Sequence, residues 1–111
     1  MNILIAPNDY YVFPTCVMLK SLFINTPLSY GDVWNIYIMH EKLNVKLLEQ
    51  MEELIKHHNG IPHQVIIPDG CFDNAPLSIH ITKSSYYRLL APFLLPTDIK
   101  RVLYLDGDLI V

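Results

Sequence analysis

Four short apolar segments alternate with helical patterns along this chain, and the alternation constrains its fold more than any other feature. The segments are 2–6, 33–40, 63–68 and 101–105, and most of their residues are aliphatic or aromatic. Strands that are apolar on both faces are typical of parallel sheets with helices on either side. The order β-α-β-α-β-α-β therefore predicts an α/β fold with a Rossmann-like, mostly parallel sheet in a single domain, residues 1–111.

The segment 44–60 carries the clearest helical pattern. Its apolar residues recur at three- and four-residue spacing and form one stripe with a charged back. Asn44 is placed to cap the amino end of this helix. Gly60, followed by Pro62, predicts the carboxyl end, with the glycine at the first position beyond the helix.

Two further segments predict helices. Residues 12–25 are apolar almost all round, which indicates a largely buried helix. After a turn-rich connector at 69–76, residues 82–91 predict a third helix that Pro92 ends or kinks. Arg88 is expected to point away from the inner face of this helix. The residues expected to share that face are Tyr86, Leu89 and Leu90.

The composition favours a folded domain. Hydrophobic residues make up 51% of the chain and charged residues 17%, with a formal net charge of −3, so disorder is not expected. The 8 Lys and Arg residues are scattered, which argues against a nucleic-acid surface. No apolar run reaches the about 20 residues that a membrane span needs, and no signal-peptide pattern begins the chain. We expect a cytoplasmic protein.

The cysteines and one histidine pair are candidates for metal or redox chemistry. Cys16 and Cys71 lack the spacing of a metal or redox motif, which favours reduced thiols in a reducing compartment. His57 and His58 fall in the last turn of the predicted helix 44–60, where partial positive charge suits the helix dipole. A metal role for the pair is the less favoured interpretation.

The sequence DGD at 106–108 directly follows the last apolar segment. Open α/β sheets bind ligands outside the carboxyl ends of their strands. Asp106 and Asp108 are close enough in sequence to reach one hard cation, and two such carboxylates repel each other without a positive charge between them. Gly107 between them would let the backbone approach a ligand closely and adopt unusual dihedrals. The pattern therefore favours a Mg²⁺ or Mn²⁺ site that also holds substrate phosphates.

Two other interpretations of this pair stay open. Asp and Gly are common in polar turns, so the pair could be a turn with no ligand. Phosphatases of the haloacid dehalogenase superfamily also carry an aspartate pair after an apolar strand. Their pattern usually lies near the amino terminus and continues with Gly-Thr or similar, whereas Leu109 follows Asp108 here.

The loop after the first predicted strand and Arg88 are expected at the same edge of the sheet. Asn8 and Asp9 offer hydrogen-bonding groups for a base edge, and Tyr10 or Tyr11 offers a ring for stacking. The guanidinium of Arg88 is a natural partner for a diphosphate. Each of these residues also has an ordinary structural interpretation, and their convergence on one edge favours a nucleotide site.

Three blocks of the sequence resemble glycosyltransferase family 8. They are MNILIAPNDYYVFPTCVMLKSL at 1–22, ITKSSYYRLLAPFLLP at 81–96 and KRVLYLDGDLIV at 100–111. The resemblance implies the GT-A fold and transfer of a sugar from a nucleotide-sugar donor with retention of anomeric configuration. It further implies UDP-glucose or UDP-galactose as the donor, and Mn²⁺, or Mg²⁺, as the cofactor.

The resemblance also implies roles for individual residues. Asp106 and Asp108 would be the DxD motif that holds the metal, and Arg88 would lie near the donor phosphate and sugar, with Ser85 and Tyr86 before it in the usual pattern. The residues implied to bind the donor are Ala6, Asn8, Asp9, Tyr11, Arg88, Asp106 and Gly107. Family members often have aspartate where Asn8 stands and asparagine where Tyr10 stands.

The resemblance finally bears on how much of an enzyme this chain contains. In the family the chain continues beyond DxD and supplies a third metal ligand, usually a histidine, and the acceptor site. All five histidines here precede DxD, so we expect the donor-binding half, truncated after the motif. The alternative is a non-catalytic nucleotide-sugar-binding or assembly module. The acceptor, whether glycan, lipid or protein, stays open, and homo-oligomerisation is expected because an edge of the sheet would be uncovered.

Overall fold

The computed structural model describes residues 1–68, 70, 74 and 83–111. These residues form one four-stranded sheet in the order β3-β2-β1-β4, and every pairing in it is parallel. The strands are β1 (Asn2–Ile5), β2 (Trp34–His40), β3 (Gly60–Ile66) and β4 (Leu103–Tyr104). The helices are α1 (Val12–Asn25), α2 (Val45–His57), α3 (Ala91–Leu94) and two 3₁₀ helices, Asp9–Tyr11 and Lys83–Leu90.

Both faces of the sheet are covered, as the apolar strands predicted. Ile3 and Ile5 of β1 pack in one core cluster with residues of α1 and α2. Leu4, which lies between them, packs on the opposite face in a second cluster with Tyr87 of the second 3₁₀ helix and, among others, Leu94 of α3. This alternation follows from the period of two in a β-strand. The α/β prediction is confirmed.

The sheet brings four strand ends to one edge. Helices α1 and α2, which connect β1 to β2 and β2 to β3, pack on one face of the sheet. The second 3₁₀ helix and α3, which precede β4, pack on the other face, and β4 lies on the side of β1 opposite to β2. Leu4 pairs with Tyr104, and the Leu105 N–H donates to the Leu4 carbonyl at 3.1 Å. The crevice between the carboxyl ends of β1 and β4 is therefore the topological switch point, where open α/β sheets bind ligands.

Helices α1 and α2 begin where the sequence predicts. α1 spans the full predicted range and buries Met18 and Leu19 completely. Asn44 caps α2, and its Oδ1 accepts from the backbone N–H groups of Lys46 and Leu47 at 3.0 and 3.2 Å. These two bonds satisfy donors that the first turn of a helix leaves unpaired.

The carboxyl end of α2 differs from the prediction. α2 ends at His57, and Asn59, rather than Gly60, takes the left-handed conformation (φ 62°) that is common just beyond a helix. Gly60 instead begins β3, where a Cβ would overlap Ile55 of α2. Pro62 lies inside β3 rather than in a loop. Among the described residues β3 is an edge strand of the sheet, and a proline is tolerated in such a strand.

The predicted third helix is a 3₁₀ helix, Lys83–Leu90, followed by the short α3. The predicted inner face is wrong in part, because Tyr87 is buried and Leu89 is 61% exposed. Three residues per turn place different side chains inward than the 3.6 of an α-helix. Pro92 lies in the first turn of α3, where it costs no helical hydrogen bond.

Several predictions fall outside the described residues. These are Cys71, His80, position 82 at the start of the predicted third helix, and most of the predicted connector 69–76. Within the described ranges, no helix has both the length and the apolar character that crossing a bilayer requires. β3 begins three residues before the predicted 63–68, and β4 is limited to two of the predicted residues 101–105.

Removing the cap of α2 should destabilise the protein measurably. In Asn44→Ala, the N–H groups of Lys46 and Leu47 lose their acceptor, and we expect the free energy of unfolding to fall by about 1 kcal/mol. Asn44→Asp keeps a capping oxygen and should stay close to the wild type. Urea unfolding followed by circular dichroism measures both, and equal stability of the alanine variant would contradict the capping role.

The β4 edge should also make the 111-residue chain self-associate. Among the described residues β4 has a partner on one side only, and Leu103 on this edge strand is 53% exposed; Ile110, further along the chain, is 76% exposed. Hydrogen-bonding groups and apolar surface are thus both uncovered. Light scattering coupled to size exclusion should show species larger than a monomer. Leu103→Lys combined with Ile110→Lys should shift the mass towards the monomer. A wild type that elutes as a clean monomer would refute this expectation.

Candidate active site at the switch point

The loop after β1 is held by hydrogen bonds at two residues. Asn8 caps the first 3₁₀ helix, and both its carbonyl and its Oδ1 accept from the Tyr11 N–H, at 3.0 and 3.1 Å. The Oδ1 of Asp9 accepts from the Asn44 backbone N–H at 2.8 Å, which ties this loop to the start of α2. Ala6 is half-buried against the second core cluster. The loop therefore has a defined shape without a ligand.

A cavity of about 270 Å³ lies between the ends of β1 and β2. Its lining residues are Pro7, Asn8, Asp9, Tyr10, His40, Glu41, Lys42, Leu43 and Tyr87. The Tyr87 hydroxyl donates to Glu41 Oε2 at 3.0 Å, which joins the second 3₁₀ helix to the end of β2. The cavity thus combines hydrogen-bonding groups of both kinds with aromatic surface, as small-molecule sites do.

Sequence reasoning missed the part of this cavity that β2 and Tyr87 supply. His40 is buried, and its Nδ1 accepts from the Leu43 N–H at 3.2 Å. Its proton is therefore on Nε2, which lies 3.2 Å from Gln64 Oε1. The rule that pointed to Asn8, applied to the end of β2, would have found His40 and Glu41. No sequence signal marks Tyr87 as the inward residue of its helix.

The DGD sequence forms a turn directly after β4. The Leu109 N–H donates to the Asp106 carbonyl at 3.4 Å, and both Asp106 and Asp108 are exposed. Gly107 does not have positive φ, so the expectation of unusual dihedrals is wrong. The glycine is needed for close approach to α1, since a Cβ at this position would overlap Thr15 Oγ1. That hydroxyl is buried and has no hydrogen-bond partner among the described residues.

Arg88 and Asp106 meet on one side chain, Tyr104. The guanidinium carbon of Arg88 lies 5.2 Å from the centre of the Tyr104 ring, within cation–π range. Asp106 follows Tyr104 by two residues, close enough for its charge to act on the Tyr104 hydroxyl. Burial, together with the charge of Asp106, raises the pKa of Tyr104, while the charge of Arg88 opposes the shift. Two residues predicted independently are therefore connected in the fold.

The predicted site residues lie at one edge of the sheet in two groups. Asn8 and Asp9 line the cavity, and Arg88 and Asp106 share Tyr104. The residues predicted to bind the donor that lie outside the cavity lining are Ala6, Tyr11, Arg88, Asp106 and Gly107. Tyr11 is about half exposed and follows the cavity residues at the end of the first 3₁₀ helix.

Two carboxylate side chains of the DGD turn fit a hard divalent cation. Asp106 and Asp108 offer oxygen ligands, which Mg²⁺ and Mn²⁺ prefer. Within the described ranges no group of three or more His, Cys, Asp or Glu side chains could hold a metal. A cation at this turn would therefore need ligands beyond these two residues, such as substrate phosphates and waters.

The histidine pair differs from its predicted role. His58 Nε2 lies 3.0 Å from Lys20 Nζ, and the His58 ring stacks on Phe23. An ammonium group only donates, so this imidazole nitrogen accepts and His58 is neutral. Burial, then the charges of Lys20 and His57, lowers the pKa of His58. The expected positive charge at the end of α2 is therefore wrong for His58.

The chain has the GT-A fold, a parallel sheet with its switch point between β1 and β4. The crystal structure of the galactosyltransferase LgtC with donor and acceptor sugar analogs superposes with a TM-score of 0.85 at 25% identity, covering 100% of this chain and 39% of that one. The apo structure of the bifunctional glycosyltransferase WbbM superposes with a TM-score of 0.69 at 17% identity, covering 97% of this chain and 18% of that one. At this level of identity the similarity is one of fold only.

The chain belongs to glycosyltransferase family 8. The sequence profile of that family, described as glycosyl transferase family 8, matches residues 2–111 of this chain. A glycosyltransferase, GlyF, of Streptococcus pneumoniae serotype 4 (strain ATCC BAA-334 / TIGR4) is 27% identical over 99% of this chain and 26% of its own length. General stress protein A of Bacillus subtilis (strain 168) is 28% identical over 100% of this chain and 38% of its own length. The chain thus spans well under half of either relative.

The contact between Gly107 and Thr15 sets the position of the DGD turn, and a double-mutant cycle tests it. Gly107→Ala should lower the free energy of unfolding by about 1–3 kcal/mol, because the new methyl group overlaps the Thr15 hydroxyl. Thr15→Ala removes an unpaired buried hydroxyl and should cost little by itself. Combined, the two changes should recover most of the stability lost in Gly107→Ala. Additive losses in urea unfolding would contradict the contact.

Proposed function

We propose that this chain forms the donor-binding part of a metal-dependent retaining glycosyltransferase that uses a UDP-sugar, UDP-glucose or UDP-galactose. Family membership supports a glycosyltransferase, and LgtC, the similar structure, holds donor and acceptor sugar analogs. The observation that carries the proposal is that the guanidinium of Arg88 lies over the ring of Tyr104, two residues before Asp106, at the switch point. A cation ligand and a diphosphate ligand are then adjacent.

The chemistry of sugar transfer explains why these groups are needed together. Positive charge develops on the sugar and negative charge on the departing diphosphate. Asp106 and Asp108 would hold Mn²⁺ or Mg²⁺, which supplies positive charge beside the leaving group when bound. The exposed guanidinium of Arg88 donates hydrogen bonds to diphosphate oxygens and adds to this stabilisation. Neutralising the leaving group is the main task of these residues.

We assign the nucleotide subsite to the cavity between the ends of β1 and β2. The Asn8 amide group donates to a base carbonyl while its Oδ1 stays on the Tyr11 N–H. The Asp9 Oδ1 is bound to the Asn44 N–H, so its Oδ2 accepts from the base or ribose. The partly exposed ring of Tyr11 stacks on the base, with Ala6 behind the loop, and Gly107 lets the DGD turn lie close to Thr15 of α1.

A non-catalytic nucleotide-sugar-binding or assembly module is the second candidate. Among the described residues, no third protein ligand accompanies Asp106 and Asp108. The acceptor, whether glycan, lipid or protein, is a partner that neither candidate defines. Release of sugar from UDP-glucose or UDP-galactose with Mn²⁺ would support the enzyme, and UDP binding without any turnover would support the module.

Loss of one carboxylate should abolish metal-dependent nucleotide binding. In Asp108→Ala the cation loses one of its two protein ligands, and we expect UDP affinity in Mn²⁺ to fall to the level measured with chelator. Isothermal calorimetry measures this, and circular dichroism should show an unchanged fold because Asp108 is exposed. The control Asp32→Ala removes an exposed aspartate from the loop before β2 and should bind as the wild type does. If chelator leaves the wild-type affinity unchanged, the metal role is wrong.

A further inference from the structure

Glu41 directly follows β2 and lines the cavity between the ends of β1 and β2. Its side chain is partly exposed, and its Oε2 accepts from the Tyr87 hydroxyl at 3.0 Å. Tyr87 is 5% exposed and packs in the second core cluster, so the donor of this hydrogen bond has a fixed position. A carboxylate has about four acceptor positions, and the hydroxyl occupies one of them. The others can accept from a ligand in the cavity.

The backbone that carries Glu41 is also held in place. His40, the last residue of β2, accepts from the Leu43 N–H through Nδ1 at 3.2 Å. The Nε2 of the same imidazole lies 3.2 Å from Gln64 Oε1 of β3. This buried ring therefore fixes the turn in which Glu41 lies. A group held at its backbone and at its side chain loses little freedom when a ligand binds, and this favours affinity.

The order of the strands indicates which part of a nucleotide would meet Glu41. The sheet runs β3-β2-β1-β4, so the end of β2 and the DGD turn after β4 lie on opposite sides of β1. The two strand ends are about 10 Å apart, which is two strand spacings. With the diphosphate at the DGD turn, the ribose lies over β1 and the base lies towards β2. Glu41 is then beside the base and remote from the negative charge of the diphosphate.

A carboxylate in this position distinguishes one pyrimidine from the other. Uracil presents an N3–H donor between two carbonyl oxygens, whereas cytosine presents an N3 without a proton, and such base edges are read by hydrogen bonds. An ionised carboxylate only accepts, so Glu41 pairs with uracil N3–H and repels the lone pair of cytosine N3. The Asn8 amide group donates to the neighbouring carbonyl, because its Oδ1 is held by the Tyr11 N–H.

We infer that Glu41 is the specificity-determining residue that accepts from uracil N3–H and so selects uridine over cytidine nucleotides. The inference rests on the proposed function, because it assigns a role towards the base of a nucleotide bound at the switch point. Tyr87 holds the carboxylate, and Asn8 supplies the complementary donor. The three side chains belong to three different elements, which the fold brings to one cavity.

Exchange of the carboxylate for an amide tests this role. Glu41→Gln keeps an oxygen for the Tyr87 hydroxyl and introduces an N–H donor. Asp9→Asn makes the same exchange on a second residue that lines the cavity and keeps an oxygen for the Asn44 N–H. Glu53→Gln, at an exposed position of α2, is the control. Binding of UDP, CDP and 2′-deoxy-UDP is measured by calorimetry in Mn²⁺, and thermal unfolding reports stability.

The expected result is a change in the choice of base. The wild type should bind UDP at least about tenfold more tightly than CDP, as a hydrogen bond to a charged group allows. Glu41→Gln should weaken UDP binding, strengthen CDP binding and lower the preference by about tenfold, because the amide donates to cytosine N3. Glu53→Gln should change neither affinity. A purely structural role of Glu41 would not strengthen CDP binding.

Several results would overturn the inference while the proposed function stands. One is a wild type that binds UDP and CDP equally, which needs no variant to observe. Another is a preference that Asp9→Asn changes and Glu41→Gln does not, which would assign the base to Asp9. A third is a Glu41→Gln protein that loses only the preference for UDP over 2′-deoxy-UDP, which would place Glu41 on the ribose. Equal weakening of all three nucleotides, in proportion to lost thermal stability, would make Glu41 a structural residue.

Failure of the proposed function gives a different result. A wild-type protein that binds none of the three nucleotides in Mn²⁺ contradicts the donor site itself, and the role of Glu41 towards the base is contradicted with it. The wild-type titrations therefore distinguish failure of the function from failure of the inference.

Discussion

The parallel hydrogen bonding of β1 to a strand on each side is the constraint on which the rest of the structure depends. Ile3, Leu4 and Ile5 are at most 1% exposed, because β2 and β4 flank the strand and helices cover both faces. Burial of such aliphatic side chains contributes about 1.5–3 kcal/mol each. The same pairing fixes Tyr104 beside Leu4 and so delivers the DGD turn to the edge where the loop after β1 begins.

Much of this arrangement could be predicted from the sequence because its signals are local. The apolar strands, the range of α1 and the cap at Asn44 each depend on residues within a few positions of one another. The carboxyl-edge rule then placed Asn8, Asp9 and the two aspartates of DGD at one edge. The resemblance to glycosyltransferase family 8 was confirmed by the family match and by the fold of LgtC.

The rest could not be predicted because it is decided by packing between distant segments. Gly60 resembles a residue that ends a helix, yet glycine is required there because a Cβ would overlap Ile55 of α2. Gly107 was predicted to allow unusual dihedrals, yet glycine is required there because a Cβ would overlap Thr15 of α1. The contact of Arg88 with the Tyr104 ring depends on the register of β4 and on a 3₁₀ geometry that periodicity does not reveal. Such contacts are also those that define the site.

The central claim is that one divalent cation links the DGD carboxylates to the diphosphate of a nucleotide sugar. A crystal structure of the chain with Mn²⁺ and UDP, with diffraction recorded at the manganese absorption edge, tests it most directly. The account predicts an anomalous peak in coordination contact with Asp106, Asp108 and diphosphate oxygens, and the guanidinium of Arg88 against the same diphosphate. Nucleotide bound at the switch point with no anomalous peak at these carboxylates would contradict it.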